Sequence, residues 1–553
     1  MIKALGLNTL SVYIMWNYHE VARGKFDFST GNKNLPLFLE LAEKHQMKVL
    51  FRPGPYVCAE WDFGGMPARL LNVKGLVIRA NNQQFLEETL IYFEALAPIM
   101  KAHLRSSDNP KGCIVMLQIE NEYGFYGTDK SYMEAIRALW AKVGVECPHY
   151  YVDWPENIEK CHWPGANIGI NNFQKQEDEQ QVRAFEKEGY ILGGEIYSGW
   201  MTHWTEKYGG KRTEKVIKEY EFLLGSGHSF AMYMVHGGTN FGLTAGANGL
   251  KDKPNDYWGD ITSYDYDAPI NEQGSPTPKF MALRELIKKH ADWEVPEIPK
   301  PIPMIELKGI KPKKVANLLA NLPESSIASD RPLVFETDQL EMYNQGMVLY
   351  EAVLGYRDYE FKVIVHDFGM VYLGEKLIAV LDRTQKTEHS VSITQEMLGQ
   401  KGNILRILVE ATGHINFDKC METDQKGLWL FEGEGTETLK WKMFKYPIEE
   451  ALHWKQGEQT NEFPDLYQAE FELEETGDVY LRMSEYGKGY LWVNGKNLGR
   501  YWIQGGPQTR YFCPGVWLRK GGNTLTILNL HGPAGGEVEG VKELYEEPLA
   551  YDQ

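Results

Sequence analysis

The run Cys113-Ile114-Val115-Met116-Leu117 is uninterrupted apolar sequence. It stops abruptly at Gln118-Ile119-Glu120-Asn121-Glu122-Tyr123-Gly124. A short apolar run rich in branched side chains reads as a strand buried on both faces, the pattern of a parallel sheet covered by helices. Carboxylates just past the carboxyl end of such a strand stand where barrel enzymes carry their chemistry. Burying a carboxylate is costly unless it is paired or protonated. A lone glutamate there reads as a salt-bridged strand end, whereas two with an asparagine between them favour a reactive site.

Tyr190-Ile191-Leu192-Gly193-Gly194-Glu195-Ile196-Tyr197-Ser198-Gly199-Trp200 repeats the arrangement: apolar strand, one glutamate, then aromatics. Enough chain separates Glu122 from Glu195 for more than one strand–helix unit. Two carboxylates on different strands of one barrel, ringed by aromatics, suit glycoside hydrolysis. One protonates the leaving oxygen, while the other attacks the anomeric carbon or activates water. Tyrosine and tryptophan offer flat apolar faces to the C–H face of a sugar.

The same pattern recurs along the first half of the chain. Strands are expected at Thr9–Trp16, Lys48–Arg52, Cys113–Ile119, His149–Val152, Asn167–Ile170, Tyr190–Glu195 and Phe230–Val235. Helices are expected at Leu35–His45, Asn82–His103, Lys130–Val143, Thr213–Leu224 and Lys279–Trp293. Alternation on this scale predicts a (β/α)8 TIM barrel. Seven strands are found where eight are needed. The chain opens on what reads as a helix tail with a glycine stop (Met1 to Leu7), so the first strand of the barrel and the native N-terminus are expected to be missing. A periplasmic or secreted location is expected, and the lack of a leader sequence does not bear on it.

Val295-Pro296-Glu297-Ile298-Pro299-Lys300-Pro301-Ile302-Pro303 reads as a stiff connector. Beyond about Pro332 the period shortens to alternating runs with Gly and Asp/Asn turns, the signature of β-sandwiches. Gly369–Ile378 resembles Gly489–Arg500; each is strand, tight turn, strand, followed by Gly-Asn and another apolar strand. The expected organisation is a catalytic barrel at 1–294, a connector at 295–330, and two jelly-roll β-sandwich domains at 331–450 and 451–553.

A net charge of −18 disfavours a nucleic-acid partner, and no segment approaches a membrane span. The six cysteines form no CxxC pair; Cys147 and Cys161 are close enough in sequence to pair if the compartment allows. His19, His203 and His236 make no metal constellation, so no metal or cofactor is expected.

Four segments together resemble the β-galactosidases of glycoside hydrolase family 35. They are Gln118 to Gly124; Arg52-Pro53-Gly54-Pro55-Tyr56 with Cys58-Ala59-Glu60-Trp61; His236-Gly237-Gly238-Thr239-Asn240-Phe241-Gly242; and Ser263-Tyr264-Asp265-Tyr266-Asp267-Ala268-Pro269. The resemblance implies an exo-acting, retaining enzyme that releases terminal β-linked galactose from a glycan. It makes Glu122 the acid/base and Glu195 the nucleophile, with Glu120 structural. It implies substrate binding by Tyr13, Cys58, Ala59, Glu60, Asn121, Trp200, Tyr233 and Tyr266, and galactose-binding-like folds for the sandwiches. The sequence departs from the family pattern at Lys111-Gly112-Cys113, where Gly-Gly-Pro is usual, and at Thr205. Two other readings stay open: an exo-β-glucosaminidase or other exo-β-glycosidase on this scaffold, and a non-catalytic carbohydrate-binding protein.

Overall fold

The computed structural model describes residues 1–250, 253–340, 346–448, 455, 462–549 and 551. Its first half is a nearly closed parallel sheet. The strands are β1 (Thr9–Tyr13), β2 (Lys48–Arg52), β3 (Ile114–Gln118), β4 (His149–Asp153), β5 (Asn167–Ile170), β6 (Ile191–Tyr197) and β7 (Phe230–Tyr233). They are hydrogen-bonded in that order, every pair parallel. The sheet's two ends, β1 and β7, approach one another through Tyr13 and Tyr233, whose rings lie 5.9 Å apart edge to face.

The helices start where local chemistry lets them. After a short turn of helix at Ile2–Leu5 (α1), helix α2 (Leu35–Lys44) is capped by Asn34, which accepts from the Leu37 N–H, with Pro36 in its first turn. Asn82 caps α3 (Gln83–His103), Asp129 caps α4 (Lys130–Lys142), and Thr277 caps α7 (Pro278–Lys288). Between them lie α5 (Gln176–Arg183) and α6 (Thr213–Gly225). The core fills the space between strands and helices, with Val49, Phe51, Ile114, Leu117, Phe93 and Trp140 fully enclosed.

The second half is all β. A six-stranded and a three-stranded sheet, built from strands between Ile327 and Tyr446, enclose one core; a five-stranded and a four-stranded sheet enclose another. The two look-alike segments are indeed hairpins, Phe368–Leu373 with Lys376–Asp382 and Lys488–Val493 with Lys496–Trp502. The second turns on Asn494-Gly495, both at positive φ, the tight turn whose twist suits a hairpin. Met370 and Tyr372 of one and Tyr490 and Trp492 of the other share a third apolar core, so the two sandwiches are packed together.

One expectation is corrected. The segment read as a connector through residue 330 carries strands. Leu307–Ile310 and Lys313–Asn317 pair antiparallel with Val538–Val541 and Asp465–Leu473, and Ile327–Ser329 pairs with Trp441–Tyr446. Its proline-rich start, 295–303, lacks regular structure. Short strands whose partners lie far along the chain leave little local signal. The expected division at residues 450 and 451 lies outside the described residues. All six cysteines are free thiols. Among the described residues no helix is long and apolar enough to cross a membrane.

The barrel and the first sandwich are joined by a buried ionic cluster. His414 is fully enclosed, with Nδ1 2.8 Å from Asp62 and Nε2 2.7 Å from Glu336. Burial alone pushes its pKa down, but the two carboxylates outweigh that and hold it up at about 10. A histidine with a raised folded-state pKa stabilises fully below its unfolded value, 6.5, and the contribution is lost as pH rises through about 10. His414→Leu removes the cation that both buried carboxylates face and should cost about 3–5 kcal/mol near neutral pH. Calorimetry should find the Tm gap between wild type and variant widest at pH 6 and narrowing towards pH 10. A gap independent of pH would remove the imidazolium from the account.

Candidate active site

The carboxyl ends of the strands deliver one cluster. β3 stops at Gln118, and both Glu120 and Glu122 adopt left-handed backbone conformations, φ 59° and 47°. The two-residue alternation that would put both side chains on one face therefore does not apply here, and they part. Glu120 turns to Arg79, which donates to both its oxygens at 2.9 and 2.7 Å, and accepts from the Tyr132 hydroxyl at 2.9 Å. Glu122 turns into the cavity, where its Oε1 accepts from Trp154 Nε1 at 2.9 Å and Asn171 Nδ2 at 2.8 Å. Those donors stand at the ends of β4 and β5.

Glu195, on β6, has different company. Arg52, the last residue of β2, donates to its Oε1 at 2.6 Å, as does the Tyr13 hydroxyl at 2.9 Å; Tyr197 donates to Oε2 at 3.4 Å. The guanidinium also lies 3.9 Å from the centre of the Tyr13 ring and donates to the Tyr13 hydroxyl and to Asn121 Oδ1. Glu195 thus sits in a buried ion pair, while Glu122 has only neutral donors. Burial, then the charge on Glu195, then that on Asp153, push the Glu122 carboxyl up to about 8.

Beside the pair, Cys58, Ala59 and Glu60 form a run of three left-handed residues. This turns Glu60 inward, where its Oε2 accepts from the hydroxyls of Tyr233, at 3.0 Å, and Tyr264. Burial raises the Glu60 pKa, and the two tyrosine hydrogen bonds oppose it. Past β6 the chain bends tightly at Gly199. A Cβ there would lie 1.6 Å from the Tyr266 carbonyl, which instead accepts from the Trp200 N–H at 3.1 Å. That close approach sets Trp200 and Tyr266 on the same wall.

A cavity of about 290 Å³ is lined by Cys58, Ala59, Glu60, Glu122, Glu195, Trp200, Tyr233 and Tyr266. Eight of the ten residues singled out in the sequence therefore meet in it. Tyr13 and Asn121 lie behind the wall, bonded to Glu195 and Arg52. Buried Asn121 Nδ2 has no hydrogen-bond acceptor among the described residues. Sequence reasoning missed Arg52, Trp154, Asn171, Tyr197, Tyr264, Phe125, Asn248 and Phe417. Arg52, Trp154, Asn171 and Tyr197 lie at or just past the carboxyl ends of β2, β4, β5 and β6, a rule that could have found them. Phe417 comes from the first sandwich and carried no local signal.

The family model described as glycosyl hydrolases family 35 matches residues 1–290. Those for the first all-beta domain and the galactose-binding domain of beta-galactosidase match residues 332–448 and 464–523. A beta-galactosidase of Xanthomonas manihotis is 32% identical over 460 residues, spanning 81% of this chain and 74% of that one. Beta-galactosidase 17 of Arabidopsis thaliana is 33% identical over 577 residues, spanning 96% and 82%. The beta-galactosidase-1-like protein of Mus musculus is 33% identical over 466 residues, spanning 81% and 69%. The chain belongs to glycosyl hydrolase family 35.

It is therefore a glycosidase, with two buried carboxyl groups in unequal surroundings inside one pocket. The two donors on Glu122 favour its charged form. Asn171→Ala, which removes one of them, should raise the Glu122 pKa further, measured from its carboxyl signal across a pH titration by NMR. A fall in that pKa would show that Asn171 does not hold the carboxylate as its position implies.

Proposed function

We propose that this chain is an exo-acting, retaining β-galactosidase, with Glu122 as acid/base and Glu195 as nucleophile. The observation that carries the reading is the inequality of the two carboxyl groups. Near neutral pH Glu122 holds its proton, ready to pass it to the leaving oxygen. Glu195 is paired with Arg52, as an attacking carboxylate needs to be. Attack by Glu195 on the anomeric carbon breaks the glycosidic bond as Glu122 protonates the departing oxygen. Forming the glycosyl ester removes the charge of Glu195, the pKa of Glu122 falls, and Glu122 then takes a proton from the incoming water. Water attack expels Glu195 and restores both groups.

Galactose is the sugar that the relatives' names support. Glu60, Tyr233 and Tyr266 supply donors and acceptors around one hexose, and Glu60 is suited to accept from its hydroxyls. The glycan that carries this galactose is the proposed partner. A pocket of this size, at the low end of the roughly 300–1,000 Å³ usual for ligand sites, suits a terminal residue rather than a chain running through.

Activity should fall on the alkaline side as Glu122 loses its proton near pH 8. Glu195→Gln should abolish turnover of every substrate. Glu122→Gln should spare aryl galactosides with good leaving groups far more than alkyl galactosides, since a good leaving group needs little protonation. Equal losses on both would overturn the assignment of the acid. A β-galactan should yield monosaccharide from the first minutes; early release of oligosaccharides would mean internal cleavage. Side-by-side assays on aryl β-galactoside, β-glucoside and β-glucosaminide decide the sugar.

A further inference from the structure

At the amino ends of the barrel strands, opposite the active site, three side chains that catalysis does not use converge. Glu43 stands in the last turn of α2, His103 closes α3, and Cys113 immediately precedes β3. Helix ends and strand starts meet on the face of a barrel that bears on stability rather than chemistry. His103 Nδ1 lies 2.9 Å from Glu43 Oε1, and the Cys113 sulphur lies within 4.8 Å of both atoms. The thiol points at α2, 3.7 Å from the Leu39 carbonyl. Cys113 and His103 are buried, while the Glu43 side chain is 27% exposed and opens the group to solvent.

The backbone fixes this meeting. Leu104 and Ile114 form a parallel bridge, and the Arg105 N–H donates to the Ile114 carbonyl at 2.9 Å, which holds residues 103 and 113 side by side. Gly112 permits the approach, since a Cβ there would lie 2.5 Å from the Leu104 carbonyl oxygen. On the other side the Cys113 carbonyl accepts from the Val49 N–H at 2.8 Å, and the Met47 N–H donates to the Ala42 carbonyl at 2.8 Å. The end of α2 is thereby tied to the start of β2 beside Cys113. An ion pair needs only the glutamate and the imidazole. A buried sulphur beside both completes a donor set of one oxygen, one nitrogen and one sulphur.

We propose that Glu43, His103 and Cys113 bind one divalent ion of the zinc class, with water at the fourth position. Tetrahedral zinc, with bonds of about 2.0–2.3 Å, sets its ligand atoms roughly 3.3–3.6 Å apart. The oxygen and nitrogen are already near that separation, and side-chain shifts of about 1 Å bring in the sulphur. Thiolate and imidazole select zinc or cobalt over calcium or magnesium, which take oxygen ligands. Thiolate and carboxylate together neutralise a divalent cation, as burial requires. On binding, the Cys113 thiol gives its proton to solvent, and the neutral imidazole binds through Nδ1. Both helices also end here, and their carbonyl ends favour a cation. The ion staples α2 and α3 to the start of β3, and nothing in this depends on the roles given to Glu122 and Glu195.

Co2+ is the probe, because Zn2+ is spectroscopically silent. The full chain is stripped with a chelator and titrated with Co2+. Wild type should develop a thiolate-to-cobalt charge-transfer band in the near ultraviolet that saturates at one equivalent. Zn2+ should abolish the band by displacement and raise the Tm. Cys113→Ala should lose the band. Glu43→Gln and His103→Gln should each weaken Co2+ binding roughly tenfold or more, since even the partners behind a metal ligand cost that much. Glu43 is partly exposed, so Glu43→Gln decides the matter if a change at Cys113 costs the fold. No thiolate band in wild type, the same band in Cys113→Ala, or unchanged affinity in Glu43→Gln would overturn the proposal.

Discussion

Two buried carboxyl groups share one cavity, and away from bulk water two like charges repel strongly enough that only one is held cheaply. The fold decides which by what each strand end delivers. β2 brings a guanidinium to Glu195, whereas β4 and β5 bring only neutral N–H groups to Glu122. Glu195 is ion-paired with Arg52, and burial together with the neighbouring charge of Glu195 raises the Glu122 carboxyl to about 8. The unequal surroundings of the two carboxyl groups are a consequence of that asymmetry.

Holding the pair apart takes a second layer of fixed backbone. Glu122 points inward only because the chain leaves β3 through left-handed turns, a conformation that non-glycine residues adopt at some cost. Arg79 steadies that turn, bonded to both oxygens of Glu120 and to the Asn121 carbonyl. Glu120 thus fixes the geometry of the turn that carries Glu122. The left-handed run at 58–60 leads directly to Asp62, which is bonded to His414 of the first sandwich. Strain near the site is balanced by contacts that reach another domain.

Much of the architecture was legible in the sequence because barrel strands are short apolar runs with polar ends. Ile191–Tyr197 and His149–Asp153 differ from expectation by only one or two residues at their ends. Glu122 and Glu195 were legible as carboxylates at strand ends, whereas the other residues gathered in the pocket were implied by the resemblance to family 35. What escaped has physical reasons. Strand periodicity says nothing about φ, so the divergence of Glu120 and Glu122 was invisible. Arg52 was read as part of a motif, not as a charge, because its partner lies on a strand far along the chain. The strands at Leu307–Ile310 and Lys313–Asn317 were hidden by the prolines before them and by partners near the C-terminus.

The sandwiches bear on chemistry through rigidity. Their shared core, built from Met370, Tyr372, Tyr490 and Trp492, fixes one sandwich against the other, and the second docks on the barrel where Thr262 donates to the Arg500 carbonyl at 2.6 Å. With both ends anchored, the 414–422 segment is presented to the pocket as firmly as a barrel loop. Glu60, Tyr233 and Tyr266 belong to the barrel, whereas Phe417, on the same cavity, comes from the first sandwich. Two domains thus build the cavity, while the barrel alone supplies the groups that set the charge balance between Glu122 and Glu195.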